Sequence, residues 1–231
     1  PDTGHPDAGP AGRVGSRPSD RLMAACAKGV TVSRAGRRVL DEFDLAVSPA
    51  ALTVVQGRSG SGKSTVLRLL AGLDRPDAGS VVVDGTALSG LDRDALADLR
   101  RATVAYSGQS VYLAEALDVV ETLQIARDVR RLPPDDASID RWLAALDLDG
   151  LRGRQVRLLS GGERQRVAVA RALAVGARLV LVDEPTAHLD ETHAELLAAA
   201  LIEAARGGTA VVAASHDPVL VAAADQVHAL A

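Results

Sequence analysis

Aromatic residues are scarce in this chain of 231 residues, because Phe, Trp and Tyr together make up 2% of it. The hydrophobic residues, at 47%, are therefore mainly alanine, valine and leucine, and these must fill the core. A single cysteine, Cys26, excludes an intrachain disulfide and suits a reducing compartment. Uncharged apolar runs such as residues 196–202 are far shorter than the ~20 residues of a membrane-spanning helix, so we expect no such helix.

The chain also lacks a dense basic stretch. Its net charge is −4, and its only lysines are Lys28 and Lys63, so we expect no nucleic-acid partner. Residues 1–22 are rich in Pro, Gly, Asp and Ser and contain no signal-peptide core, which predicts a disordered N-terminal extension. Residues 23–231 then form one domain. The first residue is Pro1 rather than methionine, as in a processed or excised piece.

A glycine-rich run matches the phosphate-binding pattern G-x-x-x-x-G-K-[ST]. Residues 52–55 before it predict a strand, and residues 66–71 after it predict a helix, so a chance match in a flexible turn is disfavoured. Glycines at such a turn let successive backbone N–H groups converge on one phosphate. The run comprises Gly57, Arg58, Ser59, Gly60, Ser61, Gly62, Lys63, Ser64 and Thr65.

Two side chains of this run carry different chemistry. Lys63 can reach the β- and γ-phosphate oxygens, and the Ser64 hydroxyl is placed to ligate Mg²⁺. The sequence therefore predicts the phosphates of a nucleotide and Mg²⁺ as the ligands of this loop, and the pattern alone does not say which phosphate chemistry follows. ATP as the nucleotide is implied by the family resemblance described below.

Strand and helix patterns alternate along most of the chain. Strands are predicted at residues 29–32, 39–47, 80–83, 103–106, 179–182 and 209–214, and helices at 92–101 and 191–205. Alternation of this kind predicts a parallel sheet with phosphate chemistry at its carboxyl edge. Residues 114–149 have a helical pattern of their own and predict an inserted helical segment. Its expected apolar positions are Leu117, Val120, Leu123, Val129, Ile139, Trp142, Leu143 and Leu146.

Three further places carry polar residues beside these elements. Ser160 precedes a helix and Glu163 follows three residues later, which predicts a capping box. Asp183 and Glu184 end a buried strand, and His216 lies in the loop after the next strand. The other histidines are expected to be ordinary surface residues: His5, His188, His193 and His228.

Taken in order, these motifs resemble the nucleotide-binding domain of ABC transporters. Gln109 resembles the Q-loop glutamine, residues 159–165 the signature motif, residues 179–184 the Walker B strand, and His216 the switch histidine. The resemblance implies an α/β fold with a P-loop NTPase (RecA-like) core and a mostly parallel sheet. It also implies a small antiparallel β subdomain and an α-helical subdomain at about residues 110–158.

The resemblance also implies a role for each motif. Asp183, Ser64 and Gln109 would hold Mg²⁺, and Lys63, Glu184, Gln109 and His216 would be the catalytic residues, with Glu184 polarising the attacking water. Two domains would pack head to tail, so that the γ-phosphate on the P-loop of one copy (residues 57–65) is bound by the partner copy's Ser160, Gly161 and Gly162. A membrane-spanning permease would hold this dimer at the cytoplasmic face of the membrane.

The sequence departs from the family at the adenine site. The family places an aromatic residue about 25 positions before the lysine of the phosphate-binding loop, which is Lys63 here. Residues 33–38 contain no aromatic residue, and Phe43 is expected in the core. We therefore predict relaxed discrimination between ATP and GTP, with an Arg guanidinium as the stacking partner. The short chain and the spacing from Gln109 to Ser160 are similar to the lipoprotein-release and macrolide-export type. Residues 185–190 and the C-terminal third are more similar to the thiol-exporting type.

Two other functions remain open from the sequence. A soluble ABC ATPase of translation or DNA repair usually carries two such domains or a long coiled coil, and neither occurs here. A nucleotide-sensing regulatory module is disfavoured by intact Lys63, Glu184 and His216. Tyr112, Leu113 and Leu117 are expected to offer an apolar dock for a permease helix.

Overall fold

The computed structural model describes residues 23–230, so the predicted disorder of residues 1–22 and the prediction for His5 lie outside the described residues. The strands are β1 (Ala25–Arg34), β2 (Arg37–Val47), β3 (Leu52–Gln56), β4 (Ala78–Val83), β5 (Thr86–Ala87), β6 (Val104–Ser107), β7 (Leu179–Asp183), β8 (Ala210–Ala214) and β9 (Gln226–Ala229). The helices are α1 (Lys63–Leu70), α2 (Arg93–Thr103), α3 (Val119–Val129), α4 (Asp136–Ala145), α5 (Gly161–Ala174), α6 (Glu191–Arg206) and α7 (Pro218–Ala223).

Two sheets organise these elements. A central sheet in the order β6-β7-β8-β3-β9 has only parallel neighbours, and a second sheet in the order β2-β1-β4-β5 is antiparallel. Helix α1 packs against strands of both sheets. The predicted parallel core and small antiparallel subdomain are confirmed.

The central strands are buried on both faces, as their unbroken apolar runs predict. Along β7, Val180 and Val182 join the core cluster on the side of α3 to α6, whereas Leu179 and Leu181 join the cluster around α1. Successive side chains of a strand point to opposite faces, so β7 contributes to both cores. Alanine and valine are small enough to bring the helices close to this sheet, which is how a chain poor in aromatic residues fills its core.

The helical segment is shorter than its sequence pattern suggests. A helix was expected from residue 114, but α3 begins at Val119, where Asp118 and Glu121 form a capping box that the analysis of the sequence did not identify. Val129 was expected on the apolar face, and this is wrong: it is 67% exposed. It occupies the last turn of α3, where it borders a surface groove that Ala172 of α5 also lines. Ile139, Trp142, Leu143 and Leu146 are buried, as expected.

The C-terminal part contains two elements that were not predicted, α7 and β9. Strand β9 pairs in parallel with β3, and the Asp225 side chain just before it accepts a hydrogen bond from the Leu52 backbone N–H at 2.8 Å. Both α7 and β9 contact β3, which lies about 170 residues earlier in the sequence, so short-range periodicity gives little indication of either element. In the described part of the chain, no helix is both long and apolar enough to cross a bilayer.

Candidate nucleotide site

Four neighbouring strands of the central sheet end at the predicted site. Strand β3 leads into the P-loop, β6 leads to Gln109, β7 ends at Asp183 and Glu184, and β8 is followed by Ser215 and His216. Because these strands are adjacent and parallel, their carboxyl ends form one edge. The sheet therefore brings together residues that lie more than 150 positions apart in the sequence.

The P-loop turns sharply into α1. Gly62 has φ of 101°, in the left-handed region that favours glycine, and directly precedes Lys63, the first residue of the helix. A Cβ atom at Gly62 would lie 3.0 Å from side-chain atoms of Val39 and Leu40. The backbone of this turn therefore lies against β2 more closely than a side chain would allow.

An ion-paired network links the P-loop to the strand ends. Lys63 Nζ lies 3.0 Å from Glu184 Oε1 and donates to the carbonyl oxygens of Gly57 and Arg58 at 2.8 and 3.2 Å. The other carboxylate oxygen, Glu184 Oε2, is 3.1 Å from His216 Nδ1. Lys63 is buried and His216 is exposed. Three of the four predicted catalytic side chains thus form one chain of contacts: Lys63, Glu184 and His216.

The backbone of Glu184 is held in an unusual conformation. Its φ of 47° lies in the left-handed region, which residues with a Cβ rarely adopt. Its N–H donates to the Ala214 carbonyl at 2.8 Å, and its own carbonyl accepts from Ala187 N at 3.1 Å and from the Gln165 side chain at 3.3 Å. These bonds from β8, the following turn and α5 fix the carboxylate opposite Lys63, as expected of strain kept at a functional position.

Asp183 has an unsatisfied buried carboxylate. It is 2% exposed, and its Oδ1 atom has no hydrogen-bond partner. Burial raises the pKa of this carboxyl, while hydrogen bonds from the Ser64 hydroxyl and the Gln109 backbone oppose the rise. Among residues 23–230 no group of three or more His, Cys, Asp or Glu could hold a metal. One carboxylate and one hydroxyl do fit Mg²⁺, which keeps waters and phosphate oxygens as its other ligands.

Two adjoining cavities, of about 730 and 280 Å³, surround this network. Both are lined by Ser59, Gln109 and Glu184. The larger is also lined by His216 and by His188, whose φ is 68°. His188 was expected to be an ordinary surface residue. It is indeed exposed, but its place four residues after Glu184 brings it to the site, and that spacing was the available signal.

The signature residues are formed but lie outside these cavities. Ser160 is the N-cap of α5 and accepts a hydrogen bond from Glu163 N at 3.3 Å, while Glu163 Oε2 accepts from Ser160 N at 2.6 Å, which is the predicted capping box. Of the described residues lining the two cavities, none is Ser160, Gly161 or Gly162. Ser160 and Gly161 are exposed. The structure thus brings the Walker, Q-loop and switch residues together and leaves the signature apart.

The region expected to meet adenine forms the turn between β1 and β2. Arg34 pairs with Asp74 at 2.7 Å and Arg38 with Asp41 at 2.7 Å. Phe43 is half-buried against the core cluster around α1, as expected. The relaxed preference between ATP and GTP stays a prediction. An arginine that stacks on the base would have to be Arg34 or Arg38, released from its carboxylate, or the exposed Arg37.

The profile of the ABC transporter family matches residues 40–187, more than half of the chain. The chain belongs to the ABC transporter family. It is 40% identical over 192 residues to the lipoprotein-releasing system ATP-binding protein LolD of Bordetella avium, covering 82% of this chain and 84% of LolD. It is also 38% identical over 185 residues to the macrolide export ATP-binding/permease protein MacB of Wolinella succinogenes, covering 78% of this chain but only 28% of MacB.

Solved structures agree with this assignment. The dimeric ABC transporter cassette MJ0796 superposes with a TM-score of 0.81 at 27% identity, covering 89% of this chain and 94% of MJ0796. MJ0796 has also been solved in a post-hydrolysis state bound to ADP and Pi, and that structure superposes with a TM-score of 0.77 at 28% identity. This chain is accordingly an ATP-binding component of an ABC transporter, and it hydrolyses ATP to ADP and phosphate.

Proposed function

We propose that two nucleotide-binding domains of this kind pack head to tail and hydrolyse ATP between them. The observation that carries this proposal is the separation of the signature residues from the P-loop cavities of the same chain. The N-terminus of α5 offers backbone N–H groups and the positive end of a 14-residue helix, both suited to a phosphate. A second copy would bring this helix end to the nucleotide, and the dimeric state of the MJ0796 cassette supports the pairing of two such domains.

Within each site, the backbone of residues 57–65 and Lys63 would hold the triphosphate. Phosphate oxygens are stronger acceptors for Lys63 than the carbonyls of Gly57 and Arg58 are, so nucleotide binding would exchange those bonds and release Glu184 from its ion pair. Ser64 and Asp183 would hold Mg²⁺, with Gln109 at its edge. The metal would neutralise charge on the phosphates, which is its general part in phosphoryl transfer.

Glu184, once free of Lys63, would accept a proton from the attacking water, whose oxygen bonds to the γ-phosphorus as the bond to the ADP oxygen breaks. His216 would keep the Glu184 carboxylate aimed, because its Nδ1 already lies 3.1 Å from Oε2. The products are ADP and phosphate. Phosphate release would weaken the contact with the partner's signature helix and let the dimer open.

The membrane partner we propose is a permease of the lipoprotein-release or macrolide-export type, supported by the names of the relatives. The domain would sit peripherally at the cytoplasmic face. A permease helix would enter the apolar region near Tyr112, which is 83% exposed, and Leu117. A photocrosslinker at Tyr112 should capture a multi-spanning membrane protein in the native host, and its failure to do so would contradict this part.

Glu184→Gln tests the dimer and the role of the base together. The amide keeps the side-chain shape but cannot accept the proton, so we expect hydrolysis to fall at least ~100-fold while ATP stays bound. The variant should accumulate as a dimer in sedimentation analysis with ATP and Mg²⁺, and the parent chain should not. Hydrolysis at the parent rate would refute the base assignment. A variant that stays monomeric with saturating ATP, even beside its permease, would refute shared sites.

A further inference from the structure

A glycine connects strand β6 to Gln109, and the ring of Tyr106 lies against it. Tyr106 is on β6, and Gly108 and Gln109 directly follow the strand. The Tyr106 side chain packs on the core cluster around α1 and is partly buried. A Cβ atom at Gly108 would lie 3.2 Å from the Tyr106 hydroxyl oxygen and 3.3 and 3.4 Å from its Cε1 and Cζ atoms. The edge of the ring therefore occupies the space that a side chain at position 108 would fill.

The ring, and not the backbone angles, explains why position 108 is a glycine. The φ of Gly108 lies outside the left-handed region, so an L-amino acid could adopt its backbone conformation. The distances to the ring atoms, however, are shorter than the 3.5–4.0 Å at which two carbon atoms attract each other best. A larger residue at position 108 would have to push the ring aside. Tyr106 and Gly108 are thus a matched pair.

The segment behind this pair reaches the predicted metal site. Ser107 pairs with Val182 on the neighbouring parallel strand β7, so the residues after Ser107 continue beside Asp183, the last residue of β7. The Gln109 backbone hydrogen-bonds the Asp183 carboxylate. Gln109 also lines both cavities of the nucleotide site. The conformation at Gly108 therefore decides where Gln109 meets Asp183.

Tyr106 itself is close to this site without being part of its lining. Burial raises the pKa of the Tyr106 hydroxyl, the charge of Asp183 adds to this rise, and the charge of Arg68 on α1 opposes it. The hydroxyl thus lies within the field of the metal-site carboxylate. Among the described residues that line the two cavities, Tyr106 does not occur. Any effect of this ring on the nucleotide must therefore pass through Gly108 and Gln109.

We propose that Tyr106 is a positioning residue of the nucleotide site, whose ring takes the place of a side chain at position 108 and thereby fixes the backbone that presents Gln109 to Asp183 and Mg²⁺. The inference rests on the proposed function, which puts Gln109 at the edge of the metal, and it adds the pair of residues that sets this position. A tyrosine ring is ordered at little cost in side-chain entropy. Without it, a glycine would leave the segment free to adopt many conformations.

The first experiment removes the ring. Tyr106→Ala is compared with Phe43→Ala, which truncates another aromatic side chain packed on the same core cluster. Amide hydrogen exchange of residues 108–110 is measured without nucleotide. The affinity for ATP is measured with Mg²⁺ and with chelator, in chains that also carry Glu184→Gln so that ATP is not consumed.

We expect Tyr106→Ala to exchange these amides ~10-fold faster or more, because the segment opens locally. The gain in ATP affinity that Mg²⁺ gives should fall ~10-fold, as is typical when a residue that orients a metal ligand is lost, while the affinity in chelator stays within about twofold of the parent. Phe43→Ala should leave both quantities within about twofold of the parent, even where it lowers the melting temperature.

The second experiment exchanges the two partners. Gly108→Val puts a side chain where the ring lies, so alone it should also lower the Mg²⁺ effect ~10-fold. In the double variant Tyr106→Ala/Gly108→Val the space is free, and the valine takes the place of the ring. At least half of the loss, on a logarithmic scale, should then be regained, because the two positions are coupled. Tyr106→Phe keeps Cε1 and Cζ and should behave as the parent does.

The outcomes separate this inference from the proposed function. Losses that add in the double variant, or an unchanged Mg²⁺ effect in Tyr106→Ala, would overturn the inference. Gly108→Val lies outside the strands and helices, so it tests the pair even if Tyr106→Ala is unstable in thermal unfolding. Gln109→Ala is the reference: if it keeps the parental Mg²⁺ effect, the proposed place of Gln109 at the metal fails too. If Gln109→Ala loses the effect and Tyr106→Ala keeps it, only the inference fails.

Discussion

The two halves of the nucleotide site are built differently. The P-loop half is linked across the molecule, because Lys63 on α1, Glu184 after β7 and His216 after β8 contact one another. The signature half is local, since Ser160 and Glu163 satisfy each other at the start of one helix. The first half depends on the whole sheet for its geometry, and the second depends on a few consecutive residues. Substitutions should therefore affect them in separable ways.

The largest effect is expected at Lys63. Lys63→Ala removes the cation of the P-loop and leaves Glu184 without its ion pair, so nucleotide affinity should fall ~100-fold or more and hydrolysis should reach background. Isothermal titration with ATP and Mg²⁺ measures the affinity. Lys28→Ala, at the only other lysine, on β1, is the control and should bind normally. If Lys63→Ala kept the ATP affinity of the parent, Lys63 would not be the main phosphate-binding side chain of the P-loop.

Ser160 separates helix capping from phosphate binding. Ser160→Asp keeps a good N-cap but places a negative charge where the partner's γ-phosphate would lie, so ATP-induced dimerisation should be lost at nearly unchanged melting temperature. Ser160→Ala should lose about 1 kcal/mol of stability. Both are measured in the Glu184→Gln background by sedimentation and thermal unfolding. Normal dimerisation of Ser160→Asp would show that the signature does not meet a phosphate.

The same contrast explains what could be predicted from the sequence. The capping box at Ser160 and the glycine turn before Lys63 were predicted because their partners lie within a few residues. The burial of β7 and β8 followed from their apolar runs. Local patterns carry such features because the interactions that form them are also local.

Contacts between distant residues could not be predicted in the same way. The ion pair between Lys63 and Glu184 joins positions 121 residues apart, and it depends on which strands become neighbours. Strand β9 has the same difficulty, since its partner β3 precedes it by about 170 residues. His188 lines the larger cavity at the end of the turn after Glu184, and both residues have left-handed backbone angles. Periodicity contains no information about any of these.

The pH dependence of stability tests what it costs to bury the Asp183 carboxylate in the P-loop half of the site. Because burial raises its folded-state pKa, the folded chain binds more protons than the unfolded chain above the ordinary Asp value, so stability falls as pH rises through that window. Asp183→Asn should remove this fall and be more stable near neutral pH, on the order of 1 kcal/mol, in chelator without nucleotide. Urea unfolding from pH 4 to 8 measures it. If the free energy of unfolding of the parent and of Asp183→Asn changed with pH in the same way, the pH dependence would not come from the raised pKa of Asp183.

The smallest effect compares the two signature glycines. A Cβ at Gly161 would meet nothing within 4 Å, whereas one at Gly162 would lie 3.1 Å from the His188 carbonyl and 3.1 Å from Leu189 Cδ2. Alanine favours a helix over glycine by ~1 kcal/mol, so Gly161→Ala should be slightly more stable than the parent. Gly162→Ala should lose that gain, because the segment at His188 must shift. Equal melting temperatures for the two variants would mean that this segment yields freely, and the signature half would then be as independent of the rest as its capping box suggests.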